Sequence, residues 1–342
     1  MKTQRLNTSD ADLQEAAYIL KSGGIVAFPT ETVYGLGANA LDPEAVAKVY
    51  EAKGRPNDNP MIVHISRASD IGQLTPKLSQ RIIKLIENFW PGPLTLVVPK
   101  KAEVPDITTG GLDTVAVRMP DDKIALKIIT FAGCPIAAPS ANISGKPSPT
   151  KASHVIDDLD GKIDAIVCGA DCRVGIESTV LDVSSEVATI LRPGIITAEN
   201  IEAAIGEKVE FDPTLFAGGQ DDLMLNEKKD MDLAAPKSPG MKYKHYAPKA
   251  QMTIIEGQRD RVKSEIERLK GLNERIGLKV GVILFEEQAF IEAAHDFFSN
   301  LRELDEQNVD LILAGALSDK DEVGFAVMNR MLKSSGYNIA KV

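Results

Sequence analysis

Apolar runs of strand length alternating with amphipathic helical stretches predict an α/β protein of two domains, the first with α+β character. Three observations carry that expectation. The chain has 342 residues, and at roughly 150 residues per domain this length accommodates two cores. Residues 206–250 interrupt all regular periodicity, as a linker would. Beyond them, residues 251–342 follow a strict strand-then-helix order, which implies βαβ units and a small Rossmann-like parallel sheet.

The elements follow in order. Residues 10–22 (DADLQEAAYILKS) open with an Asp cap, place Leu13, Ala16, Ala17 and Leu20 on one face, and stop at Gly23-Gly24. Strands are expected at 25–28, 61–65, 94–98, 115–117, 165–167 and 180–183, each bounded by Gly, Pro, Asn or Asp. Helices are expected at 43–52, with Pro43 in the first turn, at 77–89 and at 122–132. This first domain runs to about residue 205. The linker holds Gly218-Gly219, Pro236, Pro239-Gly240 and Pro248. The second domain, 251–342, alternates strands at 252–255, 278–284 and 309–313 with helices at 258–272, within 287–303 and at 322–333.

Composition excludes several classes. Thirty-nine basic against 49 acidic residues leave a net charge of −10, which argues against coating nucleic acid or anionic membrane. The acidity is uneven: residues 1–150 carry 16 basic and 15 acidic side chains, residues 151–342 carry 23 and 34. A mean hydropathy of −0.08, with no apolar run near ~18 residues, excludes a membrane-spanning helix. The N-terminus enters polar sequence and not an apolar stretch, so no secretory leader is expected and the cytoplasm is the expected compartment. Cys134, Cys168 and Cys172 are an odd set, read as reduced thiols. The Cys168/Cys172 pair has no second Cys/His pair to complete a zinc site.

Familiar nucleotide and catalytic signatures are missing. No G-x-x-x-x-G-K-[ST] loop, H-E-x-x-H, G-x-S-x-G or kinase catalytic loop occurs. GLGANA at 35–40 matches G-x-G-x-x-A, but it starts several residues past the strand ending at Phe28, where a dinucleotide fingerprint would sit directly at the turn. What the chain does have is polar loops after apolar strands. PTETVYGLG at 29–37 suits a turn, or backbone approach to a ligand. KGRPNDNP at 53–60 sets Lys53 and Arg55 two apart, fit for one phosphate chain or for the dipole of the preceding helix. APSANISGKPS at 138–148 follows a buried strand and is dense in donors for ribose and phosphate oxygens. Arg118 ends one strand, Glu177-Ser178-Thr179 begins another, and Arg192 lies in LRPG at 191–194. His64, by itself, reads as a core histidine on a strand.

These motifs, TVYGL at 32–36, KGRP with Asn59-Pro60, APSAN at 138–142, EST at 177–179 and LRPG, stand in one order. In that order they resemble the YrdC-like family of threonylcarbamoyl-AMP synthases. SPGMKYKHYAP at 238–248 is similar to the linker of the long, two-domain form, and GFAVMNRMLK at 324–333 to the end of its C-terminal domain. The resemblance covers nearly the whole chain. It implies a twisted mixed sheet with helices around a concave cavity, and a nucleotidyltransferase that makes L-threonylcarbamoyl-AMP and pyrophosphate from L-threonine, bicarbonate and ATP. The product would go to the machinery that modifies adenosine in tRNA.

Carried over position by position, the resemblance implies threonine binding by Thr32, His64, Arg118, Ala138 through its backbone, and Ser178. It implies ATP binding by Lys53, Arg55, Asn59, Thr114, Ser140, Asn142, Ser148 and Arg192, with Tyr243 or Tyr246 reaching over from a linker that closes on the cavity. Mg²⁺ is expected on the ATP phosphates with no protein ligand assigned. The competing expectation is an RNA-binding module using Lys53, Arg55, Arg118, Lys146 and Arg192, weakened by an aromatic content of 5% and basic loops almost without aromatics. No stable nucleic-acid binding and no membrane contact are expected. The second domain receives no chemistry, only a gating or docking role.

Overall fold

A computed structural model describes residues 2–216, 236, 245–318 and 321–342. Strand β1 (Gln4–Leu6) leads into helix α1 (Asp10–Lys21), whose N-cap is Ser9, accepting from the Asp12 amide; Asp10, expected as the cap, is the first helical residue. Strands β2 (Val26–Phe28) and β3 (Gly35–Asn39) follow, then α2 (Pro43–Lys53), capped by Asp42 and ended by Gly54 at φ 61°. A left-handed residue there costs a glycine little and turns the chain sharply toward Arg55. Next come β4 (Ile62–His64), α3 (Gln80–Phe89), β5 (Leu94–Pro99), the one-turn α4 (Asp106–Thr109) and β6 (Thr114–Arg118). The first unit continues with α5 (Lys123–Ala132), β7 (Ile136–Ala137), α6 (Ala152–Leu159), β8 (Ala165–Val167), β9 (Thr179–Asp182), β10 (Ala188–Arg192), α7 (Ala198–Ile205) and β11 (Val209–Phe211).

Among the described residues these eleven strands form one mixed sheet in the order β1-β8-β2-β3-β7-β4-β6-β5-β9-β10-β11. The sheet places His64 beside Arg118, since β4 and β6 run parallel with those two residues in register. It also explains two departures from expectation. The GLGAN segment read as a loop is β3, antiparallel to β2, so its glycines lie within a sheet ladder and not at a strand-to-helix turn. Residues 209–211, expected in the linker, pair parallel with β10; the run is too short and too polar at Glu210 for apolar alternation to reveal it.

The second unit comprises β12 (Gln251–Glu256), α8 (Arg259–Arg275), β13 (Val280–Ile283), α9 (Phe290–Glu306), β14 (Leu311–Gly315), α10 (Glu322–Ser335) and β15 (Ile339–Lys341). Its four strands are all parallel, in the order β13-β14-β12-β15. Its core is not confined to its own residues. Val33 and Ile176, from loops of the first unit, are buried in one cluster with Phe297, Phe298 and Met331. Apolar burial of this kind joins the two units directly at the loops that border the site.

Candidate active site

A cavity of about 60 Å³ opens at the ends of the central strands, lined by residues of the β2–β3, β7–α6 and β8–β9 connections, by the ends of β4, β6 and β10, and by His245 and Tyr246. Arg118 is its best-anchored cation. Its Nε donates to the Gly92 carbonyl at 3.2 Å and its Nη1 to Thr32 Oγ1 at 2.9 Å. Its Nη2 lies 2.6 Å from Glu31 Oε2, at an angle poor for a hydrogen bond, so the pairing is chiefly coulombic. Guanidinium carries five N–H groups, so hydrogens remain to grip a carboxylate. Thr30 Oγ1 in turn sits 2.9 Å from Thr32 Oγ1.

His64 Nδ1 lies 3.1 Å from the Ile62 carbonyl, an oxygen that only accepts, so this nitrogen carries the proton. Burial, seconded by Arg118, pushes the imidazole pKa down to about 3, and the ring is neutral. Ala138 donates its amide to the Ile62 carbonyl at 2.9 Å. Ser178 Oγ meets Thr95 Oγ1 at 2.8 Å and accepts from Arg192 Nη2 at 3.2 Å, while Arg192 Nε donates to the Ser178 carbonyl at 3.1 Å. All five residues assigned to threonine therefore surround one space.

The residues assigned to ATP divide. Arg55, Ser140, Arg192 and Tyr246 line the cavity. Lys53, Asn59, Thr114, Asn142 and Ser148 do not, and most of these act from behind the lining. Lys53 is completely enclosed, and its ammonium donates to the carbonyls of Ser140 and Asn142. Burial and then Arg55 hold its pKa well below the usual lysine range. Its role here is to pin the 140–142 loop. Asn142 accepts from Ser140 Oγ at 2.6 Å and donates to Ile143 and Lys146 carbonyls, so the Ser-x-Asn pair is one hydrogen-bonded unit. Asn59 has a buried Oδ1 without a hydrogen-bond partner among the described residues, and its backbone carbonyl accepts from Arg55 Nε at 3.3 Å. Thr114 begins β6 opposite Pro99, two strand positions beyond Ala116 on the face that carries Arg118. Tyr243 lies outside the described residues.

Sequence reasoning missed several participants. Glu177 is a cavity-lining carboxylate that accepts from Ser148 Oγ at 2.5 Å and pairs with Arg330 Nε at 3.2 Å. Burial opposes its ionisation, but Arg330 and Arg192 prevail and hold it below the usual carboxylate range. Tyr246 bonds to Glu177, and burial followed by that carboxylate raises its hydroxyl pKa. Glu31 and His245 were likewise unassigned. Their signal was present only as neighbours of motif residues; the pairings join positions up to 153 apart.

The cations are not available to a polynucleotide. Lys53, Arg55, Arg118 and Arg192 are each less than a tenth exposed, and Lys146 is tied to Asp158 at 2.7 Å. A phosphate backbone needs an open stripe, so the RNA-binding expectation is not favoured. Among the described residues no helix is long and apolar enough to cross a membrane.

Comparison with known proteins agrees with this geometry. A family model described as "Telomere recombination", built on Sua5, YciO and YrdC sequences, matches residues 18–194, and one described as "Threonylcarbamoyl-AMP synthase, C-terminal domain" matches residues 196–336. The chain belongs to the threonylcarbamoyl-AMP synthase family. The threonylcarbamoyl-AMP synthase of Pyrococcus abyssi is 48% identical over 337 residues, spanning 96% of this chain and 95% of the relative. That of Bacillus subtilis is 45% identical over 356 residues, spanning 99% and 97%. The crystal structure of P. abyssi Sua5 complexed with L-threonine superposes with a TM-score of 0.90 at 45% identity, covering 100% of both chains. This synthase family member thus shares the fold of P. abyssi Sua5 over its whole length, both domains included.

Proposed function

We propose that this chain forms L-threonylcarbamoyl-AMP and pyrophosphate from L-threonine, bicarbonate and ATP, as a nucleotidyltransferase acting in the cytoplasm ahead of the transfer of the threonylcarbamoyl group to tRNA. One observation carries the reading: Arg55, Arg118 and Arg192 converge on a single cavity, while of the two nearby carboxylates Glu31 pairs with Arg118 and Glu177 is engaged by Arg330, so the four arginines outnumber them. An excess of buried positive charge requires anionic ligands, and an amino-acid carboxylate plus a triphosphate supply them.

Arg118 takes the threonine carboxylate, with Thr32, Ser178 and the neutral His64 around it. The threonine amine attacks the carbon of bicarbonate with loss of one water, or the carbon of its dehydrated form, CO₂, with loss of the amine proton to solvent, giving the carbamate in either case. A carbamate oxygen then attacks the α-phosphorus, and pyrophosphate leaves toward Arg55 and Arg192. Proximity and stabilisation of departing charge supply most of the acceleration, and little acid–base machinery is needed. Mg²⁺ is proposed to travel on the triphosphate. Among the described residues no cluster of three or more His, Cys, Asp or Glu side chains forms a ligand set, and no step is routed through a protein-held metal.

The cavity as it stands, about 60 Å³, accommodates a handful of waters at ~10–15 Å³ each. We propose that the segment bearing His245 and Tyr246 withdraws to admit both substrates and then closes, which would keep water from the mixed anhydride. The test is mass-spectrometric detection of threonylcarbamoyl-AMP after incubation with the three substrates and Mg²⁺, alongside pyrophosphate release. ATP turnover that is independent of threonine and bicarbonate would refute the proposal.

A further inference from the structure

Arg330 is completely enclosed and lies on α10 of the second domain, yet most of its contacts are in the first. Its Nε is 3.2 Å from Glu177 Oε2, its Nη1 donates to the Pro193 carbonyl and, at 2.9 Å, to Ala326 of its own helix. Pro193 directly follows Arg192, and Glu177 directly precedes Ser178, the residue to which Arg192 donates. One guanidinium therefore holds both the segment that carries Arg192 and the segment to which Arg192 donates.

The charge bookkeeping gives this grip a chemical meaning. Glu177 is a buried carboxylate whose other hydrogen-bond partners, Ser148 Oγ and Tyr246, are neutral; Lys333 also feels it, but burial, followed by Arg330 and Arg192, pushes that lysine down to about 7. A buried charge without a countercharge draws in the nearest cation. Apart from Arg330, the strongest attraction on Glu177 comes from Arg192. We infer that Arg330 is a positioning residue for nucleotide binding: by neutralising Glu177 and fixing Pro193, it keeps the Arg192 guanidinium directed to the substrate phosphates. The second domain thereby completes the site of the first. This inference rests on the synthase reading.

The experiment is steady-state pyrophosphate release with ATP and threonine varied separately, for the native chain, Arg330→Met, Arg330→Lys and the double variant Arg330→Met/Glu177→Gln. Arg330→Met is expected to raise the KM for ATP by about tenfold or more, the scale of one charge-assisted contact, with a much smaller change in the KM for threonine. Arg330→Lys keeps the charge but loses the fork, and falls between. The double variant recovers ATP affinity relative to Arg330→Met, because Gln is neutral yet still accepts from Ser148. An unchanged KM for ATP in both single variants, an equal rise in both KM values, or a double variant no better than the single one would overturn the inference. If Arg330→Met does not fold, the ATP-to-threonine KM ratio of Arg330→Lys and of the double variant decides on the same terms. A native chain without threonine-dependent release overturns the synthase reading itself, and this inference with it.

Discussion

Glu31 and Arg118 lie 2.6 Å apart with side chains only 2% and 4% exposed, so the cation proposed to clamp threonine carries its own buried countercharge. The pair is poorly aligned, and a bound carboxylate would compete with Glu31 for the same face. Arg118→Lys, which loses the bidentate fork, is expected to raise the KM for threonine by about tenfold or more, with a smaller effect on ATP. Glu31→Ala strands the guanidinium and is expected to cost about 3–5 kcal/mol in urea unfolding. A fully stable Glu31→Ala protein would contradict this account of the pair.

Lys53 acts through the loop it pins. Lys53→Met preserves the side-chain volume but leaves the Ser140 and Asn142 carbonyls unpaired, at a cost of about 1–3 kcal/mol each way of counting an unsatisfied buried group. Turnover should fall because Ser140 loses its position. If Lys53→Met kept native stability and lost only ATP affinity, direct phosphate contact would be the better description.

Three largely buried histidines set an acid limit. Burial pushes His64, His154 and His245 down to about 3, with Arg118, Arg302 and Arg55 respectively adding to the shift. An unfolded histidine titrates near ~6.5, so between these values the unfolded chain binds protons that the native state refuses. Stability is therefore complete above about pH 6.5 and falls as pH drops, by up to ~1.4 kcal/mol per pH unit for each histidine. Urea midpoints at pH 7, 6 and 5 measure the slope. His154→Gln should make it shallower, and an unaltered slope would count against the burial argument.

Glycine positions separate packing from flexibility. A Cβ on Gly194 would lie 2.6 Å from the Thr179 amide nitrogen and 3.0 Å from the Ser178 carbonyl carbon. Backbone cannot yield as a side-chain tip can, so Gly194→Ala should cost about 1–3 kcal/mol and displace Ser178, reducing turnover. Gly271, inside α8, has open space around its would-be Cβ, and Gly271→Ala should stabilise by about 0.5–1 kcal/mol. Thermal unfolding of the two variants in opposite directions is the check.

Arg302 is the second buried arginine that α9 and α10 send into the first unit. It holds the Pro147 carbonyl at 2.6 Å and Asp158 at 2.9 Å, at the end of the loop carrying Ser140 and Asn142. Arg302→Ala leaves Asp158 with Lys146 alone and the Pro147 carbonyl without its donor, and is expected to cost about 1–3 kcal/mol. Calorimetry showing no loss would remove the idea that the second domain braces this loop.

Much of the fold was legible because its signals are local. The helix at 43–53 announces itself through Asp42, Pro43 and Gly54, the strand at 165–167 through an unbroken apolar run, and that at 94–98 through an apolar run broken only by Thr95. The strand at 35–39 was not, because three of its five residues are Gly or Asn, and such a run becomes a strand only when β2 and β7 supply its ladder on both sides. Of the site, the polar loops after apolar strands pointed to the residues that meet at the cavity. Lys53, Asn142 and Ser148 were named as well, but nothing in their spacing distinguished a lining residue from one that holds the lining in place.

The sequence by itself determined the two-domain α/β plan, the order of the motifs and the family they resemble, because periodicity, caps and turn residues act over a few positions. Only the tertiary structure decided which charges face each other. The net charge of −10 says nothing of a cavity rich in arginine. That Arg118 meets Glu31, and that Arg330 and Arg302 reach Glu177 and Asp158 across 153 and 144 positions, follows from packing alone. Burial then makes those pairings obligatory, since a charge removed from water must find its partner wherever the fold has brought one.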